Sequence, residues 1–157
     1  MTSVWLTSVG SAWPAPANKS KNDNQEPVIQ GLAGRSGSSP RIIVPILMYH
    51  YIRDYRNPDD YLGIQLSVSP KAFEEQLQAL KSAGYYSISL EAMATGRYSL
   101  PPDRTANKPI VLTFDDGYAD HYLEALPILQ RYGFTGTFFI VKNFIGRPFY
   151  LTNDQLG

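Results

Sequence analysis

Short apolar runs alternate with helical patterns along most of this chain, and this alternation restricts the possible folds more than any other feature. Residues 42–48 and 109–114 are rich in aliphatic and β-branched side chains, which is typical of strands buried on both faces. Residues 136–141 repeat the pattern, and Pro45 suggests that the first run lies at a sheet edge or forms the first strand. Strands that alternate with helices pair in parallel, so the sequence predicts an α/β fold, either an open sheet or a barrel.

The helices between these runs have recognisable start signals and spacing. Ser69 is a good N-cap, Pro70 suits a first turn, and Phe73 and Leu77 recur at helical spacing. Other segments predict shorter elements, namely a strand over residues 85–90, a helical turn over 91–95 and a helix over 124–132.

The first forty residues differ from the rest in composition. Residues 18–26 contain no apolar side chain, so residues 1–40 are predicted to be a disordered tail, a linker or a signal remnant. The segment Ala15-Pro16-Ala17 resembles a small-residue cleavage site, although no basic residue precedes Lys19. We therefore expect one folded region, residues 41–157, and an extracytoplasmic location, meaning secreted, periplasmic or at the cell surface.

Composition excludes several classes of protein. The 157 residues carry 14 basic and 14 acidic side chains, whereas nucleic-acid binders normally have a basic surplus, so no nucleic-acid partner is expected. The chain has no cysteine, which rules out disulfides and cysteine-ligated zinc. No apolar run approaches the roughly 20 residues of a membrane span.

Two adjacent carboxylates follow the apolar run of residues 109–114. Asp115 and Asp116 precede Gly117, at the end of a predicted parallel strand, where ligands and chemistry gather in α/β folds. Adjacent carboxylates repel each other, so one of them needs a cation, a shared proton or strong hydrogen bonds. A metal ligand beside a general base satisfies this need, and so does a simple Asp-Asp-Gly turn.

The wider context of the Asp pair resembles a known family. The segments TFDDGY (residues 113–118) and LPILQRYGFTGTFFIV (residues 126–141) are similar to the opening of the polysaccharide deacetylase domain, the NodB-like carbohydrate esterases of family 4. The resemblance extends from about Val44 to Leu156. It implies a distorted (β/α) barrel in which Asp115 is the general base and Asp116 is a metal ligand.

A second segment resembles one subset of this family. PILMYHYI (residues 45–52) is similar to the deacetylases of poly-N-acetylglucosamine, in which a Tyr-His near the first strand brings the catalytic acid. The resemblance therefore implies that His50 protonates the leaving amine, a role for which imidazole is suited. A structural, hydrogen-bonded His50 is the alternative. His121 matches no family position and is expected to be exposed, in a loop or at a helix start, whereas the backbone N–H of Tyr118 is a candidate oxyanion donor.

The chain also departs from the family pattern. The family completes its metal site with a His-Ser/Thr-x-x-His element, but this chain has only two histidines, His50 and His121. It supplies one ligand, Asp116, of the three that a catalytic zinc usually takes. Residues 152–155 match a capping box and predict a helix start near the end of the sequence. We therefore expect a partial barrel whose C-terminal half is missing, with an incomplete site for Zn²⁺ or a similar divalent metal and little activity of its own.

The resemblance implies a metal-dependent hydrolase that removes N-acetyl groups from polysaccharide. Poly-N-acetylglucosamine, chitin-like chains and peptidoglycan are the candidate substrates. Two alternatives stay open. A glycosidase is disfavoured because its two carboxylates normally stand about 5 Å or more apart across the scissile bond. A non-catalytic carbohydrate-binding remnant of the same fold is the other.

Overall fold

The computed structural model describes residues 4–9, 43–98 and 107–156, with only the backbone described for the first range. Within these ranges the strands are β1 (Val4–Val9), β2 (Ile46–Tyr49), β3 (Tyr51–Ile52), β4 (Ser67–Val68), β5 (Tyr85–Ser87), β6 (Lys108–Phe114) and β7 (Gly136–Val141). The α-helices are α1 (Tyr61–Gln65), α2 (Pro70–Ser82), α3 (Leu90–Thr95), α4 (Leu126–Tyr132) and α5 (Asn153–Leu156). A π-helix (His121–Ala125) leads into α4, and a 3-10 turn (Lys142–Phe144) follows β7.

The strands form one main sheet and one small ribbon. The path through the main sheet is β1-β7-β6-β2, with β5 also paired to β6, and β3 pairs with β4 separately. Strands β2, β5 and β7 all run parallel to β6, while β1 runs antiparallel to β7. This mixed α/β architecture with parallel strands confirms the predicted fold class. Over the described ranges the sheet is open, as expected for part of a barrel.

The core lies between β6, β7 and the two longest helices. Helix α2 begins as predicted, because the Ser69 hydroxyl accepts a hydrogen bond from the Ala72 N–H at 3.1 Å and Pro70 occupies the first turn. Its apolar face buries Phe73 and Leu77 completely. An ion pair between Arg131 of α4 and Glu74 of α2 ties the two helices together at 2.6 Å.

Strand β2 is less buried than its sequence predicts. The run of residues 42–48 was expected to be covered on both faces, but Ile46, Leu47 and Met48 are 49%, 36% and 64% exposed. The prediction of full burial is therefore wrong for the described part of the chain. The physical reason is position: β2 ends the path of the main sheet, which agrees with the edge position that Pro45 suggested.

The segment before α4 is helical earlier than predicted. Helical backbone begins at Ala119 and continues through the π-helix into α4, whereas the sequence indicated a helix from residue 124. Pro127 is the second residue of α4, but α4 continues the π-helix, so Pro127 has a helical turn before it; there its ring conflicts with the carbonyl four residues earlier and it has no N–H to donate. A wider π turn upstream relieves that conflict, and such turns frequently occur at functional sites.

The ends of the predicted elements differ in smaller ways. Strand β5 stops at Ser87, and Ser89 caps α3 by accepting from the Ala92 N–H, so residues 88–90 are not strand as predicted. The predicted helix start is confirmed by α5, and one of the two capping-box hydrogen bonds forms: the Gln155 side chain accepts from the Thr152 N–H at 3.0 Å. Of the predicted tail, residues 1–40, only the backbone of β1 lies within the described residues. None of the helices in the described ranges has the length and hydropathy of a membrane span.

Candidate active site

His50 and Asp115 lie at neighbouring strand ends. Tyr49, the last residue of β2, pairs in register with Phe114, the last residue of β6. The Asp115 N–H donates to the Tyr49 carbonyl at 2.9 Å, so this hydrogen bond joins the first residue after β6 to the last residue of β2. Neighbouring strands are about 4.8 Å apart. The structure therefore brings together two residues that the sequence singled out separately, at the carboxyl edge of a parallel sheet.

The turn after β6 has an unusual backbone. Asp116 has φ +75° and Gly117 has φ +74°, so two consecutive residues adopt the left-handed conformation. This conformation costs a residue with a Cβ roughly 1–2 kcal/mol, and such strain clusters at active sites. A Cβ at Gly117 would lie 3.1 Å from Cγ2 of Ile140, so β7 approaches the turn closely. The sequence predicted a turn here, and the structure adds that the turn is strained at the proposed metal ligand.

The environment of Asp115 suits a proton acceptor. Burial raises the pKa of the Asp115 carboxyl above its ordinary value; the charge of nearby His50 lowers it, and that of Asp116 raises it. A carboxylate with a raised pKa accepts a proton more readily near neutral pH than an ordinary one does. His50, Asp115 and Asp116 are each half-buried, so reagents from solvent can reach them.

His121 is buried beneath this edge of the sheet, which contradicts the prediction that it is exposed. It is 1% exposed, and its Nε2 lies 2.7 Å from the carbonyl oxygen of His50. Burial lowers the pKa of His121 to about 4, against the opposing effect of that hydrogen bond. A signal was available in the sequence, because His121 precedes Ala125 and Ile128 at helical spacing and all three share the buried face.

Asp120 makes a second contact to the same segment. Its Oδ2 accepts a hydrogen bond from the Ile52 N–H at 3.2 Å. Burial raises the pKa of Asp120 to about 6, although that hydrogen bond lowers it. Among the described residues, Oδ1 of Asp120 and Nδ1 of His121 have no hydrogen-bond partner. Sequence reasoning assigned no role to Asp120.

Tyr118 belongs to a stack of aromatic rings beside the turn. Its ring centroid lies 4.0 Å from that of Tyr51 and 4.9 Å from that of Tyr150, and the Arg53 guanidinium lies 3.6 Å from the Tyr51 centroid. Burial raises the pKa of the Tyr118 hydroxyl well above its ordinary value. Because the rings of Tyr51 and Tyr118 are stacked, the two faces in contact are not available to stack on a sugar ring. The tilted contact with Tyr150 adds to the packing beside the turn.

The loop after β7 is strapped to the same turn. The Ala119 N–H donates to the Phe149 carbonyl at 2.9 Å, and the Leu151 N–H donates to the Gly117 carbonyl at 3.0 Å. Phe149 has φ +70° and is 84% exposed. These contacts give residues 149–151 a structural role beside the turn.

The described residues do not complete a metal site. They contain no group of three or more histidine, cysteine, aspartate or glutamate side chains placed to hold a metal ion. Asp116 supplies one carboxylate, an oxygen ligand that divalent cations accept. His121 is not available as a second ligand through Nε2, because that atom is bonded to the His50 carbonyl. Within the described ranges, then, the residues fit one ligand of the expected metal and not the whole set.

Comparisons with known proteins agree on one family. Residues 103–155 match the polysaccharide deacetylase family. YxkH of Bacillus subtilis, named as a polysaccharide deacetylase, is 34% identical over 114 residues, and the poly-beta-1,6-N-acetyl-D-glucosamine N-deacetylase of Escherichia coli is 31% identical over 96. Among solved structures, the Streptococcus pyogenes deacetylase PplD in complex with acetate superposes with a TM-score of 0.58 at 36% identity.

These matches are partial on both sides. They cover 72% of this chain for YxkH, 60% for the Escherichia coli protein and 72% for PplD. In turn, this chain spans 37%, 14% and 50% of those three proteins. The chain thus corresponds to half or less of each relative.

Proposed function

The chain contains part of a polysaccharide deacetylase domain of the NodB type, and from this premise we propose that the protein hydrolyses N-acetyl groups on an N-acetylglucosamine-containing polysaccharide. The meeting of His50 and Asp115 at adjacent strand ends, beside a strained turn, carries this proposal. The name of the Escherichia coli relative supports poly-N-acetylglucosamine as the first substrate to try. Chitin-like chains and peptidoglycan are the next candidates. The glycosidase alternative is not supported, because Asp115 and Asp116 follow a single strand.

Asp115 and His50 move protons in opposite directions in this reaction. The Asp115 carboxylate accepts a proton from the attacking water, whose oxygen forms a bond to the acetyl carbon. The C–N bond then breaks, its electron pair stays on nitrogen, and His50 donates a proton to that nitrogen so that it leaves as an amine. The products are acetate and a free glucosamine unit. Each proton transfer by a positioned side chain is worth about 10²- to 10⁴-fold in rate.

Asp116 and Tyr118 have supporting roles in the proposal. We assign the Asp116 carboxylate as one ligand of a divalent cation such as Zn²⁺, which when bound lowers the pKa of water and polarises a carbonyl. The backbone N–H of Tyr118 is proposed to donate to the oxyanion that develops on the acetyl oxygen, and one such donor is worth about 3 kcal/mol. We also propose an extracytoplasmic location, which suits a polysaccharide substrate.

The base assignment has a direct test. Asp115→Asn in the complete protein should lower acetate release from N-acetylglucosamine oligomers by at least about 100-fold, because the amide cannot accept the proton. Asp59→Asn, at an exposed loop position, is the matched control and should leave acetate release unchanged.

Two results would count against the proposal. Unchanged acetate release by Asp115→Asn would overturn the role of Asp115. Polysaccharide binding by the unmodified protein without any acetate release would instead indicate the carbohydrate-binding remnant.

A further inference from the structure

Two consecutive side chains are hydrogen-bonded to the segment that follows β2. His121 bonds to the carbonyl of His50 at 2.7 Å, and Asp120 bonds to the N–H of Ile52 at 3.2 Å. The two residues that they contact are His50, the proposed acid, and Ile52, two positions later in the chain. We infer that Asp120 and His121 are positioning residues that hold His50 in register with Asp115, an inference that rests on the proposed function.

Strand β2 ends before His50, and the pairing of β3 with β4 begins only at Tyr51, whose N–H donates to the Leu66 carbonyl at 3.1 Å. Strand β2 has four residues and is largely exposed, and the chain bends at His50 before β3 resumes at Tyr51. The bend ends the ladder between β2 and β6 just where the acid must be fixed. Both hydrogen bonds involve residues where the π-helix begins, Asp120 just before it and His121 at its first position, and Ala125 of this helix is fully buried in the core. They therefore connect the half-buried residue after β2 to a helix that is anchored in the core.

The hydrogen-bond chemistry sets the form of His121. A carbonyl oxygen only accepts, so Nε2 of His121 must carry the hydrogen and donate it to the His50 carbonyl. The contact spans 71 positions in sequence, so it cannot arise from local structure. Replacing the donor leaves a carbonyl with no partner at the residue that donates the proton. A displacement of about 1 Å at a reacting group can cost on the order of 100-fold in rate.

Gln and Asn both place a side-chain amide at position 121, but the Asn side chain is shorter by one methylene. His121→Gln keeps an N–H donor near the position of Nε2, whereas His121→Asn withdraws the same amide by one methylene. A cavity of about 50 Å³ borders His121, which leaves room for either side chain to adjust. Asp120→Ala removes the second contact and serves as an independent variant if His121→Asn does not fold. Melting temperatures establish which variants are folded.

Activity measured on two substrates distinguishes a misplaced acid from a general loss of activity. An N-acetylglucosamine oligomer has an amine leaving group that needs protonation, whereas 4-nitrophenyl acetate releases a phenolate that does not. In the complete protein, His121→Asn should lower kcat on the oligomer by about tenfold to 100-fold with little change in KM. Its loss on the ester should be several-fold smaller. His121→Gln should recover most of the oligomer activity, Asp120→Ala should resemble His121→Asn, and His50→Ala should show the same substrate dependence more strongly.

Several outcomes would overturn the inference. Equal losses on both substrates would show that His121 only supports the fold, and so would a failure of Gln to recover activity. Full oligomer activity in His121→Asn and Asp120→Ala, with His50→Ala impaired, would reject positioning while leaving the proposed function intact. If the unmodified protein releases no acetate from the oligomer, the proposed function fails first, and the inference fails with it.

Discussion

Strands β6 and β2 are parallel neighbours with similar apolar sequences, yet they differ sharply in burial. In β6 every residue from Pro109 to Phe114 is buried, whereas in β2 only Tyr49 is. Both strands end at the candidate site, one before Asp115 and the other before His50. A similar composition therefore leads to two different environments, because β6 lies between neighbours and β2 ends the path of the sheet.

This difference explains how the two proposed catalytic groups are held. Packing on all sides fixes β6, so Asp115 is held by the core and by its hydrogen bond to Tyr49. Packing around β2 is incomplete, so specific hydrogen bonds hold the segment of residues 50–52 beside the pairing of β3 with β4: His121 donates to the His50 carbonyl, and Asp120 accepts from the Ile52 N–H. One side of the site is fixed by burial and the other by polar contacts.

The largest expected effect comes from shortening one leucine in each strand. Leu112→Ala in β6 removes a fully buried side chain and should lower the free energy of unfolding by about 2–5 kcal/mol. Leu47→Ala in β2 is the matched control; since Leu47 is 36% exposed, its cost should be below about 1.5 kcal/mol. Urea denaturation of the complete protein measures both. Equal costs would show that β2 is as well covered as β6 in that protein.

The pH dependence of the free energy of unfolding should show that His121 is held as a buried, neutral group. Burial lowers the pKa of His121 to about 4 from an ordinary value of 6.5, so as the pH falls through this window the unfolded chain binds a proton that the folded protein does not. The free energy of unfolding should therefore fall, by on the order of 3 kcal/mol at most, relative to His121→Gln, which cannot titrate.

Comparing the unmodified protein with His121→Gln cancels the opposing effect of Asp120 on the free energy of unfolding. The pKa of Asp120 is raised to about 6, so this group stabilises the fold as the pH falls, and it is present in both proteins. Urea denaturation at several pH values between 4 and 7 gives the difference. A difference independent of pH would mean that His121 is not buried as a neutral group.

Two glycine substitutions should distinguish the cost of backbone strain from the cost of a close steric contact in the turn after β6. Their expected effects on the free energy of unfolding are smaller. Gly117→Ala places a Cβ at φ +74° and 3.1 Å from Ile140, so it should cost about 1–3 kcal/mol. Gly133→Ala has the same φ of +74° with nothing within 4 Å, so it should cost only the backbone strain, about 1 kcal/mol. Thermal unfolding compares the two variants. Equal costs would indicate that β7 yields at Ile140 and that this side of the site is less rigid than β6 suggests.

Local signals in the sequence were sufficient for many of these elements. The start of α2 followed from Ser69 and Pro70, and the start of α5 followed from the pattern of residues 152–155. The Asp pair was recognised from its residue types and from its place after an apolar run. Each of these features depends on contacts within a few residues, which is why the sequence alone was informative.

The predictions from sequence were wrong where contacts between residues far apart in the chain determine burial and backbone conformation. His121 matches no family position and was expected to be exposed, yet it is buried, and its partner lies 71 positions away in the chain. Strand β2 was expected to be covered because it is apolar, yet burial depends on which strands flank it. The π-helix escaped notice because Pro127 acts on the turn that precedes it.

The sequence by itself determined the α/β class, the strand that precedes Asp115 and Asp116, and the family resemblance, because hydrophobic periodicity and motif chemistry are properties of neighbouring residues. Only the tertiary structure decided that His50 lies beside Asp115, that Asp116 is strained, and that Asp120 and His121 hold the segment after β2. Pairing between strands and burial depend on elements far apart in the chain, and no local pattern specifies them.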